Sequence, residues 1–165
     1  MKRLFLTRHA KSSWDHPDLR DIDRPLNKRG LRDAPMMGQE LEKRGLIPEA
    51  ILISPSQRTR ATAGLLATEF SFAEGQIEII DSFYGASESE IIHRTRKLPN
   101  ALNSAMLIGH NPTWTALINR LSGGHLAKLP TCGIAIIDFE CDRWSHFDDQ
   151  TGILRHSLSP RQFKE

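Results

Sequence analysis

KRLFLTRHA at residues 2–10 and AMLIGHNP at residues 105–112 share one grammar. Each is a short apolar run, Leu4–Leu6 in the first and Ala105–Ile108 in the second, that stops at a polar turn carrying a histidine. Apolar runs this short, bounded by turn residues, read as buried strands rather than helix fragments. The pattern recurs at Ala50–Ile53 (EAILIS), at Gly133–Phe139 (GIAIIDF) and more weakly at Ile77–Ile80 (IEII). Between these runs the period becomes helical. One helix is predicted from about Asn27 to Arg44, with Leu31, Ala34, Met37 and Leu41 on one face and Gly45 as its stop. A second opens at Ser54-Pro55, with Ser54 as cap and Gln57 completing a capping box. A short third, near Glu88–Lys97, carries Ile91, Ile92 and Leu98. A fourth is opened by Asn111-Pro112, places Trp114, Leu117, Ile118 and Leu121 at helical spacing, and ends at Gly123-Gly124. Alternating strands and helices predict an α/β fold in three layers, a mostly parallel central sheet flanked by helices on both faces. The tail, Gly152–Glu165, is expected to add an edge strand at ILRHSL.

The chain has 165 residues, which suits a single domain spanning 1–165. With 39% apolar and 25% charged residues, it has the balance of a globular protein, which excludes disordered, collagen-like and coiled-coil classes. No apolar run is long enough to span a bilayer, and MKRLFLTRHA is too short in apolar residues for a signal peptide, so a cytoplasmic location is expected. Cys132 and Cys141 have neither metal-ligand spacing nor a disulfide framework, and Cys132 reads as a small buried hydrophobe in a strand. Residues 1–60 hold 13 Lys+Arg against 8 Asp+Glu, whereas residues 61–165 hold 9 against 12. A basic first third suggests an anionic ligand or, more simply, solvated helix faces. No basic run or zinc-finger pattern points to nucleic acid.

In open α/β sheets ligands bind at the carboxyl ends of the strands. After the first strand comes Thr7-Arg8-His9-Ala10-Lys11-Ser12. After the second comes Ser54-Pro55-Ser56-Gln57-Arg58, after the third Asp81-Ser82-Phe83-Tyr84-Gly85, and after the fourth Gly109-His110-Asn111-Pro112. Two histidines and two arginines therefore reach one rim from three separate segments. Each piece alone has a plain reading as a turn, a cap or a structural histidine; their conjunction is what informs.

That conjunction resembles the histidine phosphatase superfamily, with its phosphoglycerate mutase-like fold. The family's Arg-His-Gly appears as Arg8-His9-Ala10, its Ser-x-x-x-Arg as Ser54 through Arg58, and its late Gly-His as Gly109-His110. Within the family the chain looks most like the small SixA-type phosphohistidine phosphatases, on its short length, the segment DIDRPLNKRG at 21–30, FYGAS at 83–87 and LIGHNP at 107–112. Ala10 departs from the usual Gly, so the loop there must accept a Cβ. Asp15 stands where many members have Asn, and Asn27 where Thr is common.

The residue types suit phosphoryl transfer, which needs charge neutralisation, alignment and a nucleophile. A neutral His9 can attack through one ring nitrogen and carry a covalent phosphohistidine. Arg8 and Arg58 disfavour its imidazolium and match phosphoryl oxygens bidentately. His110 can donate to an equatorial oxygen, and the two histidines should titrate as a coupled pair. The amides after Asn111 open a helix, a further anion site. No metal or other cofactor is required, because these cations and donors replace it. Lys11 and Ser12 either touch the phosphoryl group or belong to solvated loop. Glu88 and Glu90 lie where the larger relatives place a proton-donating carboxylate, or simply form the acidic first turn of a helix. Asp23-Arg24-Pro25 reads as a turn, although Arg24 could face the mouth. Trp14 either shapes the mouth or covers core. Arg60 reads as surface, and the other histidines have no pattern.

The resemblance implies a phosphatase working through a phosphohistidine intermediate on His9. Its expected substrate is phosphohistidine on a protein, such as a phosphorelay transmitter. Little chain is left over for a lid, and an open site admits a protein surface. A phosphatase of small phosphoesters is the alternative within the enzyme class; a mutase would need more enclosure. A non-catalytic phosphate-binding regulatory module is the alternative outside it. No nucleic-acid or membrane partner is expected, and a monomer or weak homodimer is.

Overall fold

The computed structural model describes residues 1–72 and 74–164. Six strands form one sheet: β1 (Lys2–Arg8), β2 (Ile51–Ile53), β3 (Ile77–Ile79), β4 (Ser104–Gly109), β5 (Ile134–Phe139) and β6 (Ile153–Leu158). Their order is β3-β2-β4-β1-β5-β6. β3, β2, β4 and β1 are parallel neighbours, and β5 runs against both β1 and β6. The helices are α1 (Lys28–Lys43), α2 (Gln57–Glu69), α3 (Glu88–Thr95) and α4 (Thr113–Ser122). The predicted edge strand of the tail is β6; Glu165 lies outside the described residues.

Side-chain alternation along the strands sorts the core into two layers. Phe5, Ile51, Met106, Ile108, Ile134 and Ile136 face α1 and α2, where Ala34, Met37, Leu41 and Leu66 meet them. Leu4, Leu6, Leu52, Leu107 and Ile137 face α3 and α4, against Ile91, Trp114, Ile118 and Leu121. A sheet covered on both faces needs apolar residues at every position, which is why these strands read as continuous apolar runs.

Three local expectations are corrected. Leu31 is not on the core face of α1; it is 53% exposed, and Gly30 takes the inward position instead, where a Cβ would overlap the carbonyl oxygen of Lys11. Ser56, not Ser54, caps α2, its side chain accepting from the Thr59 amide. Ser54 still belongs to the sheet edge, with its amide donated to the Ile108 carbonyl. Cys132 is fully buried as expected, but it sits in a turn with φ 57° ahead of β5 rather than in a strand.

β1 and β4 lie side by side at the centre, and the chain leaves their carboxyl ends toward opposite sides of the sheet. The crevice at this switch point is where α/β sheets take ligands. Gly109 is required there, because a Cβ would overlap the buried indole of Trp114, whose Nε1–H donates to the Leu107 carbonyl. Gly109→Ala should therefore cost about 1–3 kcal/mol by overpacking, read as a lower urea midpoint at unchanged m-value. A variant as stable as the wild type would contradict this packing.

Candidate active site

A cleft of ≈ 540 Å³ opens at the carboxyl ends of β1, β2 and β4. His9 follows β1 and is clamped through its backbone. Its amide donates to the Gly109 carbonyl at 3.1 Å, and its carbonyl accepts from the Cys132 amide at 3.0 Å. The loop accepts the methyl group of Ala10 without strain: Ala10 is fully buried in the α1–α2 layer, its φ is not positive, and its amide donates to Thr62 Oγ1 at 2.9 Å. His9 Nδ1 lies 2.7 Å from the Ala10 carbonyl oxygen. That oxygen can only accept, so Nδ1 carries the ring proton and Nε2 keeps its lone pair. His9 is 7% exposed, and burial, followed by the nearby His110, Arg58 and Arg8, lowers its pKa to about 3.

His110 follows β4. Its ring centroid is 5.3 Å from that of His9, so both imidazoles can reach one small anion. Arg58 can only donate, so His110 Nδ1 accepts from Arg58 Nη2 at 3.4 Å, and Nε2–H donates to Ser54 Oγ at 2.8 Å. Ser54 thus orients the second imidazole. Burial and then Arg58 bring His110 to about 4, against an opposing pull from Asp21. The two rings are therefore neutral, in opposite tautomers.

Three guanidiniums surround them. Arg8 ends β1, and its Nη1 donates to the Leu129 carbonyl at 3.1 Å; burial lowers its pKa. Arg58, in the first turn of α2, is buried and spends both terminal nitrogens on Asp21, one on the carbonyl at 2.7 Å and one on Oδ2 at 3.0 Å. Arg24 is the third. It is buried, donates Nη1 to Ser12 Oγ at 2.8 Å and Nε to Asp21 Oδ1 at 3.2 Å, and stacks 3.7 Å above the Trp14 ring. Asp21 also accepts from the Tyr84 hydroxyl at 2.6 Å. That bond, with the Arg58 and Arg24 guanidiniums, holds its carboxyl at about 2, well below the usual range.

His9, Arg8, Arg58, His110, Lys11, Ser12 and Asn111 all line this cleft. Ser12 does so as the partner of Arg24. Asn111 is committed to structure: Oδ1 accepts from the Thr115 amide and hydroxyl, and Nδ2 donates to the Leu129 carbonyl at 2.9 Å, the same oxygen that receives Arg8. Trp14 is at the mouth, 72% exposed. Glu88 is not in the cleft. Ser87 caps α3 and turns Glu88 toward Arg120, 4.0 Å away, while Glu90 closes the capping box on Ser87. The start of α4 is a weaker anion site than its sequence suggests: Pro112 has no N–H, and the Trp114 and Thr115 amides are donated to the His110 carbonyl and Asn111 Oδ1. Asp21 and Tyr84 escaped the sequence reading. For Arg24 the sequence leaves a turn before Pro25 and a place at the mouth both open; the Ser12–Leu26 bridge and the Ser13 amide donated to the Pro25 carbonyl bring it inward.

Comparison with known proteins shows the family. The model of the histidine phosphatase superfamily (branch 1) matches residues 4–88. An uncharacterised chloroplastic protein of Arabidopsis thaliana is 35% identical over 151 residues, which is 87% of this chain and 69% of that protein. A protein of Mycobacterium leprae is 29% identical over 166 residues, 93% of this chain and 99% of its own. Among solved structures, a candidate phosphohistidine phosphatase SixA from Agrobacterium tumefaciens has a TM-score of 0.82 at 28% identity, over 96% of this chain and 98% of that one. The protein histidine phosphatase SixA in complex with tungstate shares the fold with a TM-score of 0.84 at 21% identity, over 98% and 99%. The chain belongs to the histidine phosphatase superfamily, and its fold is similar to that of the SixA-type structures. Its activity is that of a phosphatase. Among the described residues no helix is long and apolar enough to cross a membrane.

The lowered His9 pKa has a stability consequence. The unfolded chain takes up a proton on this residue below about 6.5, while the native site refuses it down to about 3, so stability falls as pH drops through this window. Between pH 7 and 5, wild type should lose about 2 kcal/mol more unfolding free energy than His9→Ala, in urea titrations without phosphate. Parallel losses in the two proteins would mean that His9 is not held neutral.

Proposed function

We propose that this protein hydrolyses phosphohistidine on a protein, with His9 as nucleophile. The observation that carries the reading is the charge make-up of the cleft. Asp21 is the sole carboxylate among its described lining residues, and it is held ionised by Tyr84, Arg58 and Arg24. No carboxylic acid is therefore placed to protonate an alkoxide. Positioned general acids contribute about 10²–10⁴ in rate, so esters lose that factor here. A phosphoramidate does not need it. Imidazole has a conjugate acid near 6.5 and leaves as a neutral ring, protonated by solvent on its other nitrogen.

The steps follow from the geometry. The substrate phosphoryl group enters between the imidazoles, its oxygens facing Arg8, Arg58 and Arg24. His9 Nε2 forms a bond to phosphorus as the bond from phosphorus to the substrate nitrogen breaks. The Ala10 carbonyl holds the proton on His9 Nδ1 and stabilises the positive charge the phosphorylated ring acquires. Once Arg58 turns from it to the phosphoryl group, His110 can donate to an equatorial oxygen from Nδ1 by changing tautomer, the Ser54 hydroxyl then donating to Nε2. Water then attacks the phosphohistidine, giving inorganic phosphate and neutral His9. The wide mouth, with exposed Trp14 at its edge, suits a protein surface. The SixA-type structures support the same substrate class by likeness of fold. A cytoplasmic signalling role fits this reading.

The test is a side-by-side rate comparison of a phosphohistidine-bearing protein with sugar and nucleotide monophosphates. The phosphohistidine protein should be favoured by about 10² or more in kcat/KM, the factor a missing general acid withholds from esters. Acid-labile, base-stable label should be trapped on wild type and not on His9→Ala. Equal or faster ester hydrolysis would make it a small-phosphoester phosphatase. Phosphate binding without label or turnover would make it a regulatory module.

A further inference from the structure

Beside the catalytic cleft lies a second cavity of ≈ 300 Å³, lined by Arg8, Lys11, Arg29, Lys128, Pro130 and Thr131. Each of its four ionisable side chains is a cation. Among the described residues neither Lys11 Nζ nor Lys128 Nζ has an ion-pair or hydrogen-bond partner. Arg29 has only a share in Asp33, 3.5 Å away, a buried carboxylate that Lys164 approaches to 3.1 Å and Arg32 to 3.6 Å. The charge of this cavity is therefore largely unanswered within the protein.

The cluster is positioned, not scattered. The Asn27 amide donates to the Lys11 carbonyl at 3.0 Å, and Gly30, where a Cβ would overlap that same oxygen, lets the Lys11 loop lie on the first turn of α1 next to Arg29. From the other side, the Leu129 amide donates to Thr115 Oγ1 at 3.0 Å and the Leu129 carbonyl receives Arg8, which sets Lys128 one residue from the guanidinium. The first turn of α1 also breaks a local rule. It contains Lys28 and Arg29 and no acid, although the positive end of a helix favours carboxylates. Local preferences broken in this way are characteristic of functional positions.

We propose that Lys11, Arg29 and Lys128, with the outer edge of Arg8, form a second anion-binding site for a carboxylate or phosphate carried by the same substrate close to its scissile phosphoryl group. The proposal rests on the reading of the main cleft as the phosphoryl pocket. Arg8, Lys11 and Thr131 line both cavities, which therefore adjoin, and the one Arg8 guanidinium would face the transferred group on one edge and the second anion on the other. In a phosphohistidine protein the second anion would be an Asp or Glu near the modified residue. In a small molecule it would be a second phosphate.

Four substrates decide the matter: a phosphohistidine peptide with neutral flanks, the same peptide with acidic flanks, a sugar monophosphate and the matching bisphosphate. At low salt the wild type should prefer the doubly anionic member of one pair by about five- to tenfold in kcat/KM, chiefly through KM, as expected for two or three partly exposed ion pairs. About 0.5 M salt should remove the preference by screening. Arg29→Ala/Lys128→Ala should remove it too while keeping the neutral peptide within about twofold. Lys128→Glu, at an exposed position, should reverse it. A preference within the peptides identifies a carboxylate, and one within the sugars a phosphate. Equal rates within both pairs, or a double variant that slows every substrate alike, would overturn the second site. If neither peptide is turned over, the phosphohistidine reading fails, and the sugar pair still tests the site.

Discussion

The hydrogen bond from His9 Nδ1–H to the Ala10 carbonyl governs what this site can do. It puts the proton on Nδ1 and leaves the lone pair on Nε2, in a ring close to the Arg58 and Arg8 guanidiniums. The bond holds because the backbone on either side of it cannot move: His9 is tied to the β4 loop through Gly109 and to the turn before β5 through Cys132, and Ala10 is tied to α2 through Thr62. Burial among cations then keeps the ring neutral. In the proposed reaction such a ring attacks without a base to activate it; it needs an environment that refuses a proton.

The surrounding charges are arranged before substrate arrives. Asp21 accepts from Arg58, Arg24 and Tyr84 together, which spaces two guanidiniums across the cleft and leaves the site with more positive than negative charge. Donors fixed in advance lower the reorganisation needed when charge moves onto phosphoryl oxygens. Asp21 also explains why the cleft can lack a carboxylic acid while containing a carboxylate. The same partners that make it useful as a brace keep it ionised. The cations continue past the cleft through Arg8 into the neighbouring cavity, so the electrostatic footprint of the site is wider than one phosphoryl group.

Much of this was legible in the sequence because strand ends in an α/β sheet converge on one rim whatever the details of packing. Arg8 ends β1, His9 and His110 directly follow β1 and β4, and Arg58 lies in the first turn of the helix after β2, so recognising the strands was enough to bring them to one rim. What escaped or stayed open depended on tertiary contacts. Ser54 and Ser56 are equivalent as caps by local rules, and His110, which is far away in sequence, claims Ser54. Asp21, Arg24 and Tyr84 matter only because residues 21–26 fold back beside the β1 loop and the turn after β3 reaches across to meet them. Leu31 satisfies the helical period as well as Gly30 does, and the close approach of the Lys11 backbone selects the glycine. Glu88 resembled a candidate acid by position, but the cap at Ser87 points it at Arg120.

The most direct test of this account is the protonation state of the two imidazoles, read by long-range proton–nitrogen correlation NMR on ¹⁵N-histidine protein at neutral pH. The account predicts His9 as a fixed neutral Nδ1–H tautomer and His110 as a fixed neutral Nε2–H tautomer, with one equivalent of a tetrahedral oxyanion such as vanadate shifting both. A charged or tautomer-averaged His9, or an oxyanion that perturbs one ring and leaves the other untouched, would contradict it.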